Sequence, residues 1–342
     1  MKEIIFISDL PFNWMVQRPQ HLAKQFLKHG YKVYYFNRWA EEIQGPAREV
    51  ENNLFLFSNM NSSSSLLEEI PIVWVCNPKY VFEVGRFYPK IIVYDMLDVS
   101  SDELKDWKPY VAIMRQKADL IFCTSKRLYE ENIIYHKKVY LCPNGTDFEH
   151  FNKSMKLQIE RPWDLPKNNK KLVGYIGAIA SWLDWELIDY LSNRNRDLNF
   201  VFVGPILRRF KPLVLRSNVY YLGYKKYDDL PNYLKFFDVC IIPFKINEIT
   251  LGCNPVKMYE YLSAGKPVIS VDIPEVDPSI VYIAKNYEEF NMLLRKCISK
   301  KGNNEVEISR RVEYARRNSW DKRGEFVIGK IEEILKEEES KR

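Results

Sequence analysis

Twice along its 342 residues the chain alternates short β-branched or aromatic runs with stretches patterned for helices. The first series comprises Ile4–Ile7, the helical pattern Gln17–His29 closed by Gly30, Lys32–Phe36, Ile72–Cys76, Ile91–Tyr94, the helical Asp102–Lys117, Leu120–Cys123 and Val139–Cys142. The second comprises Leu172–Ile176, the helical Trp182–Leu191, Phe200–Val203, Val219–Leu222, the helical Asp229–Phe237, Val239–Ile242, the helical Pro255–Ala264 and Val268–Val271. Strands separated by helical lengths pair in parallel and need helices over both faces of their sheet. Two α/β domains are therefore expected, joined across the polar, Pro- and Lys-rich stretch Lys153–Lys171, which has no apolar period. The last segment, Asp321–Glu339, sets Phe326, Val327, Ile331, Ile334 and Leu335 on one helical stripe that must pack against something.

Composition acts mainly by exclusion. Hydrophobic residues at 46% and charged residues at 28% place the chain among folded proteins and away from disordered ones. The surplus of 51 Lys and Arg over 45 Asp and Glu leaves +6, weak support for an anionic partner. No apolar run reaches the ~18–20 residues of a membrane span, and Met1–Ile7 enters a strand pattern without a cleavable signal, so a cytoplasmic protein is expected. The six cysteines include no C-x-x-C pair and read as buried thiols. Aromatic content of 14% poses a choice between a binding surface and a heavy core; runs such as Tyr34–Phe36 and Phe200–Val203 assign most of it to the core. Asn61–Ser65 reads as a surface loop.

Several chemistries lose their mechanical basis. No G-x-G-x-x-G follows the first strand and no G-x-x-x-x-G-K-[ST] occurs, which disfavours dinucleotide binding and P-loop phosphate chemistry. His21, His29, His136 and His150 form no close pair and there is no Asp-x-Asp, so metal-dependent sugar transfer of that kind is disfavoured. No G-x-S-x-G elbow is present for a serine hydrolase.

The segment Asn254–Val268 carries the most information. Pro255 fits a first helical turn with Asn254 as its N-cap, and Gly265 ends the helix before the next strand. A helix beginning past the carboxyl end of a parallel strand aims free N–H groups at the ligand crevice, where a phosphate binds. Lys257 and Glu260, three residues apart, share a face and would offer an ammonium to a diphosphate and a carboxylate to ribose hydroxyls. The same spacing also suits an ordinary surface ion pair.

Together with Pro143-Asn144-Gly145-Thr146-Asp147 and Gly174-Tyr175-Ile176-Gly177, this segment resembles the GT-B-fold glycosyltransferases of the family 4 type, in particular the bacterial surface-polysaccharide, teichuronic acid-like members. Gln17–His21, Tyr94-Asp95 through Asp98, Val203-Gly204-Pro205 and Leu222-Gly223-Tyr224 extend the resemblance over most of the chain. It implies two Rossmann-like domains with parallel sheets facing a cleft: an acceptor-side domain over residues 1–155, a nucleotide-sugar-binding domain over 165–320, and a last helix, 321–340, returning to the first. Carried over by position, Glu260 would hold the ribose, Lys257 and the backbone at Asn254, Pro255 and Val256 the phosphates, and Tyr224 with its turn the base. Gly177 and Gly204 would admit the backbone close to the donor. The implied activity is metal-independent transfer, with retention, of a sugar from a nucleotide-diphosphate donor, UDP-sugars favoured, to a glycan or lipid-linked glycan acceptor. No further cofactor and no nucleic acid are expected.

Two departures stand out. Gly252 occupies the place of the first carboxylate of the family's Glu-x7-Glu pattern, leaving Glu248, Asn247 or Thr250 to act instead. Ala178–Trp182 lacks the Arg and Lys usual after that strand, so Lys245, Arg208 or Arg209 joins Lys257 as a candidate for the phosphate charge. In the first half, Asp95 and Asp98 at a strand end are candidates for a base or for stabilising a cationic centre, with Asp98 as a mere helix cap the alternative. Trp14, Gln17, Arg18 and His21 follow the first strand and are candidates for the acceptor, Arg18 for an anionic group on it. Lys105–Tyr110 mixes cations and aromatics as a peripheral membrane contact would. A nucleotide-sugar 2-epimerase and an inactive GT-B binding subunit remain the rival readings.

Overall fold

The computed structural model describes residues 1–37, 47–60, 67–156, 158–207, 214–299 and 304–340; the loop Asn61–Ser65 and the candidates Arg208 and Arg209 lie outside them. The chain forms two compact units, one of Met1–Asn144, Gly252–Asn254 and Trp320–Arg342, the other of Gly145–Leu251 and Pro255–Ser319.

The first unit is built on strands β1 (Glu3–Ile7), β2 (Lys32–Phe36), β3 (Arg48–Glu51), β4 (Leu54–Phe57), β5 (Ile72–Val75), β6 (Ile91–Met96), β7 (Leu120–Cys123) and β8 (Val139–Leu141). Their order is β3-β4-β2-β1-β5-β6-β7-β8, parallel except where β3 runs antiparallel to β4. Chain order reverses between β1 and β5, which opens a crevice past their carboxyl ends. Helices α1 (Arg18–Lys28), α2 (Lys108–Lys117), α3 (Lys126–Ile133) and α11 (Trp320–Glu339) complete the unit.

Alternation along the strands divides the core. On one face Phe6, Trp74 and Phe122 stack in file at 5.5 and 5.4 Å, and Phe326 of α11 closes the file at 6.2 Å from Phe122. Much of the aromatic content is thus core packing. Gly324 allows α11 to lie against α1, since a Cβ there would stand 2.6 Å from that of Gln25. The expected helix Asp102–Lys117 begins instead with a 3-10 turn, Asp102–Trp107; Pro109 suits the first turn of a new helix, and α2 starts at Lys108. Strand β3 is exposed along its length and has no apolar alternation to reveal it.

The second unit holds β9 (Lys171–Ile176), β10 (Leu198–Val203), β11 (Val219–Tyr221), β12 (Val239–Ile242), β13 (Val268–Val271) and β14 (Tyr282–Ala284), all parallel, in the order β11-β10-β9-β12-β13-β14. This is the doubly wound dinucleotide-fold order, with its switch point between β9 and β12. Its helices are α4 (Phe148–Lys156), α5 (Trp185–Arg194), α6 (Leu230–Phe236), α7 (Glu248–Leu251), α8 (Val256–Ser263), α9 (Tyr287–Ile298) and α10 (Glu305–Arg317). The chain changes units at Asn144–Gly145, before the expected stretch Lys153–Lys171, because α4 has an apolar face: Phe151 packs on Tyr227 and the Asn152 side chain donates to the Ser263 carbonyl at 2.8 Å.

Candidate functional site

At the carboxyl ends of the second sheet, the loops are tied to one another. Gly177 N–H donates to Val203 O and Gly204 N–H to Gly223 O, both at 2.9 Å. Gly177 and Gly204 have φ of +146° and +151°, and a Cβ on Gly204 would stand 2.0 Å from the Gly177 carbonyl oxygen. The two loops can approach this closely only as glycine. A Cβ on Gly177 would in turn stand 3.1 Å from Cε of Lys257, so the glycine turn and the helix α8 lysine are neighbours.

Helix α8 is fixed by Tyr261, whose buried hydroxyl accepts from Ile176 N–H at 2.7 Å and donates to Ile176 O at 3.2 Å. Lys257, in its first turn, lies 4.8 Å from the ring centre of Phe244 and 5.4 Å from that of Tyr175. Such aromatic walls hold an ammonium without neutralising it. One turn on, Glu260 is only 9% exposed, and among the described residues no hydrogen bond or close ion pair meets its carboxylate. Burial pushes its pKa up to about 7; Lys257 pulls it down and Asp147 pushes it further up. The surface ion-pair alternative for Lys257 and Glu260 does not describe this arrangement.

Around this pair the other candidates are placed unequally. Helix α8 has Pro255 as its N-cap residue and starts at Val256, while the Asn254 side chain accepts from Asn144 N–H at 2.9 Å. Asn254 is therefore not the cap, and its amide oxygen is already used. Tyr224, 40% exposed, and Lys245, also exposed, stand on the loops after β11 and β12. The Lys245 backbone N–H donates to Trp182 O at 2.8 Å, which anchors its loop. Asn247 and Thr250 cap each other's backbone at 2.9 Å, which occupies the Asn247 amide oxygen and the Thr250 hydroxyl. Glu248 is exposed at the start of α7.

In the first unit the structure corrects three expectations. Arg18 opens α1 at 2% exposure, with Nε 3.0 and 2.9 Å from the two oxygens of Asp95 and Nη1 2.9 Å from Cys142 O. Burial lowers the Arg18 pKa, yet the Asp95 carboxylate and its hydrogen bonds outweigh this and raise it overall. Asp95 also accepts from Trp74 Nε1 at 3.2 Å and is fully buried. Neither residue presents a polar atom to a ligand: Arg18 is no anion receptor and Asp95 no base, and the pair instead fixes α1 to β6. His21 is likewise withdrawn, stacked 5.1 Å from Trp320.

Asp98 differs from Asp95. It is half-buried past the end of β6, no hydrogen bond or counter-ion meets it among the described residues, and burial pushes its pKa up to about 6. Trp14 is exposed and Gln17 half-buried on the loop before α1, which Gln20 ties down through the carbonyls of Pro11 and Trp14.

At the switch point between β1 and β5 lies a polar cavity of about 550 Å³ that the sequence reading missed, lined by Asp9, Asn77, Lys79, Tyr80, Arg86 and Trp107 among others. Asn77 and Tyr80 both donate to Asp9, and Asn77 caps the following 3-10 turn through Lys79 N–H at 3.0 Å. The available signal was the position of Asp9 and Asn77 just past two apolar runs. Of Lys105–Tyr110, Trp107 lines this cavity and Asp106 pairs with Lys79, while Lys105 and Lys108 are exposed.

Among the described residues no group of three His, Cys, Asp or Glu could hold a metal ion, and no helix is long and apolar enough to cross a membrane.

Comparison with solved structures gives Anabaena HepE, crystallised with UDP and glucose, at a TM-score of 0.72 and 15% identity over 97% of this chain and 99% of that one. The trehalose-6-phosphate synthase OtsA superposes at 0.73 and 10% identity over 97% and 99%. The chain has the GT-B fold. Within that GT-B chain, residues 170–295 match the family described as glycosyl transferases group 1, and this match contains β9, both glycine turns, Lys257 and Glu260. The protein named teichuronic acid biosynthesis glycosyltransferase TuaH, of Bacillus subtilis, is 29% identical over 167 residues, 46% of this chain. The match spans 42% of that relative's length. The GT-B assignment and the resemblance to surface-polysaccharide glycosyltransferases thus stand.

Proposed function

We propose that the chain is a glycosyltransferase that takes a sugar from a nucleotide-diphosphate donor, UDP-sugars first, and gives it to a hydroxyl of a glycan or lipid-linked glycan. The observation that carries the reading is the Glu260 carboxylate, buried and unpartnered one turn from Lys257 beside the Gly177–Gly204 contact. Two ribose hydroxyls would supply the hydrogen bonds it lacks and return it to the charged form. Lys257 and the N–H groups at the start of α8 would meet the diphosphate, Tyr224 the base edge, and Lys245 further phosphate charge.

Breaking the bond between the anomeric carbon and the diphosphate leaves negative charge on the departing oxygen. A fixed ammonium and oriented N–H groups stabilise that charge as it grows. The proposal takes Lys257 to do this in place of a divalent cation and, as the resemblance implies, the sugar to keep its anomeric configuration. On the acceptor side, Asp98 would accept the hydroxyl proton, and the Asp9, Tyr80 and Trp107 cavity, with Trp14 and Gln17, would hold the sugar. Aromatic walls beside paired polar groups suit a carbohydrate.

The test is nucleotide release and sugar transfer from UDP-sugars. Lys257→Ala and Glu260→Ala, both folded, should each lower kcat/KM by about 10²-fold or more; wild-type rates in both would end the assignment. A UDP-sugar converted without any acceptor would favour the epimerase reading instead.

A further inference from the structure

The pole of the second unit opposite Lys257 and Glu260 carries chemistry that sugar transfer does not use. At the amino ends of β9 and β12 a cavity of about 600 Å³ is lined by Arg161, Trp163, Lys167, Lys170, Lys171 and Phe236, with Asp238 as its carboxylate. Among the described residues only Lys171 of these cations is ion-paired, 2.7 Å from Asp238. Lys170 donates to the Arg196 carbonyl at 2.7 Å, Arg161 lies over Phe236 at 5.2 Å, and Lys167 has no partner among the described residues. Nearby Asp164 is taken by Lys225 at 2.7 Å and by the Tyr233 hydroxyl at 3.0 Å. The stretch from Lys153 to Lys171 holds six cations against two carboxylates, most of the chain's net +6. Beside them Trp163 projects with 84% of its surface exposed.

We infer that this pole docks on an anionic lipid surface, with Trp163 entering the headgroup boundary and Arg161, Lys167 and Lys170 meeting lipid phosphates. An exposed indole ringed by cations on one side is what an interface between water and anionic headgroups selects. A polyanion in solution would use the cations but would leave the indole exposed. Six residues of β9, roughly 17 Å at 3.3 Å per residue, separate this pole from the Gly177 turn. Docking therefore leaves the carboxyl-end pole of the same unit open to solutes. The inference does not depend on the proposed activity.

The experiment is flotation of the full chain with phosphatidylcholine vesicles, with and without about one third phosphatidylglycerol. Binding is expected to the anionic vesicles alone and to fade as salt rises. Trp163→Ala and the pair Lys167→Glu with Lys170→Glu should each reduce it about ten-fold or more at unchanged unfolding temperature. No flotation, equal flotation with neutral vesicles, or variants that float like wild type would overturn the inference. Capture by soluble heparin with no vesicle binding would also overturn it and reassign the patch to a polyanion.

Discussion

Replacing Glu260 by glutamine should make the ligand-free protein more stable and a poorer binder of nucleotides, and the gain should depend on pH. Burial raises this carboxyl from 4.5 to about 7. Below pH 4.5 it is protonated in folded and unfolded chains alike and carries no ionisation penalty. Between 4.5 and 7 the unfolded chain ionises first, so stability falls as pH rises, and above 7 the full penalty applies. At about 1.4 kcal/mol per pH unit the penalty is on the order of 3 kcal/mol. The amide of Glu260→Gln has no proton to lose and keeps the shape, so the variant's advantage should grow from near zero at pH 4.5 to ~2–3 kcal/mol at pH 8. Urea unfolding of both proteins at the two pH values measures this directly. Equal differences at both, or a variant less stable at pH 8, would refute the picture of a strained, unpartnered carboxylate.

Three further perturbations probe other parts of the structure. Arg18→Ala strands the buried Asp95 charge and should cost about 3–5 kcal/mol in chemical denaturation, with Asp95→Asn added to Arg18→Met restoring much of it; unchanged stability with a raised acceptor KM would bring back a ligand role. Gly204→Ala drives a Cβ to 2.0 Å from Gly177 O and should cost at least ~2 kcal/mol while weakening nucleotide binding. Asp98→Asn should lower kcat/KM by about 10²-fold or more and abolish a limb near pH 6 below which wild-type activity declines, as the carboxyl at about 6 gains its proton; a wild-type profile in the variant would remove Asp98 from the chemistry.

Much of the fold was legible because a parallel sheet covered on both faces writes itself as continuous apolar runs, and Lys32–Phe36, Leu120–Cys123, Val239–Ile242 and Val268–Val271 coincide with strands. The exposed edge strand β3 has no such run and was invisible. Lys257 and Glu260 could be singled out because helix spacing puts them on one face, and Gly177 and Gly204 through the family resemblance of the segments that hold them. What the sequence could not disclose was burial. Asp95 and Asp98 are alike three residues apart, yet one is locked to Arg18 and the other is unpartnered, a difference set by the entry of α1 77 residues upstream. The Asp9–Asn77–Tyr80 cavity escaped for the same reason: Asp9 and Asn77 follow β1 and β5, which become neighbours only when the sheet forms.

The central claim is that Lys257 serves the diphosphate and Glu260 the ribose, and calorimetric titration with UDP and with uridine tests it most directly. Lys257→Ala should weaken UDP binding and leave uridine binding unchanged, whereas Glu260→Ala should weaken both. Wild-type UDP affinity in both variants, or no nucleotide binding by the unaltered protein, would contradict it.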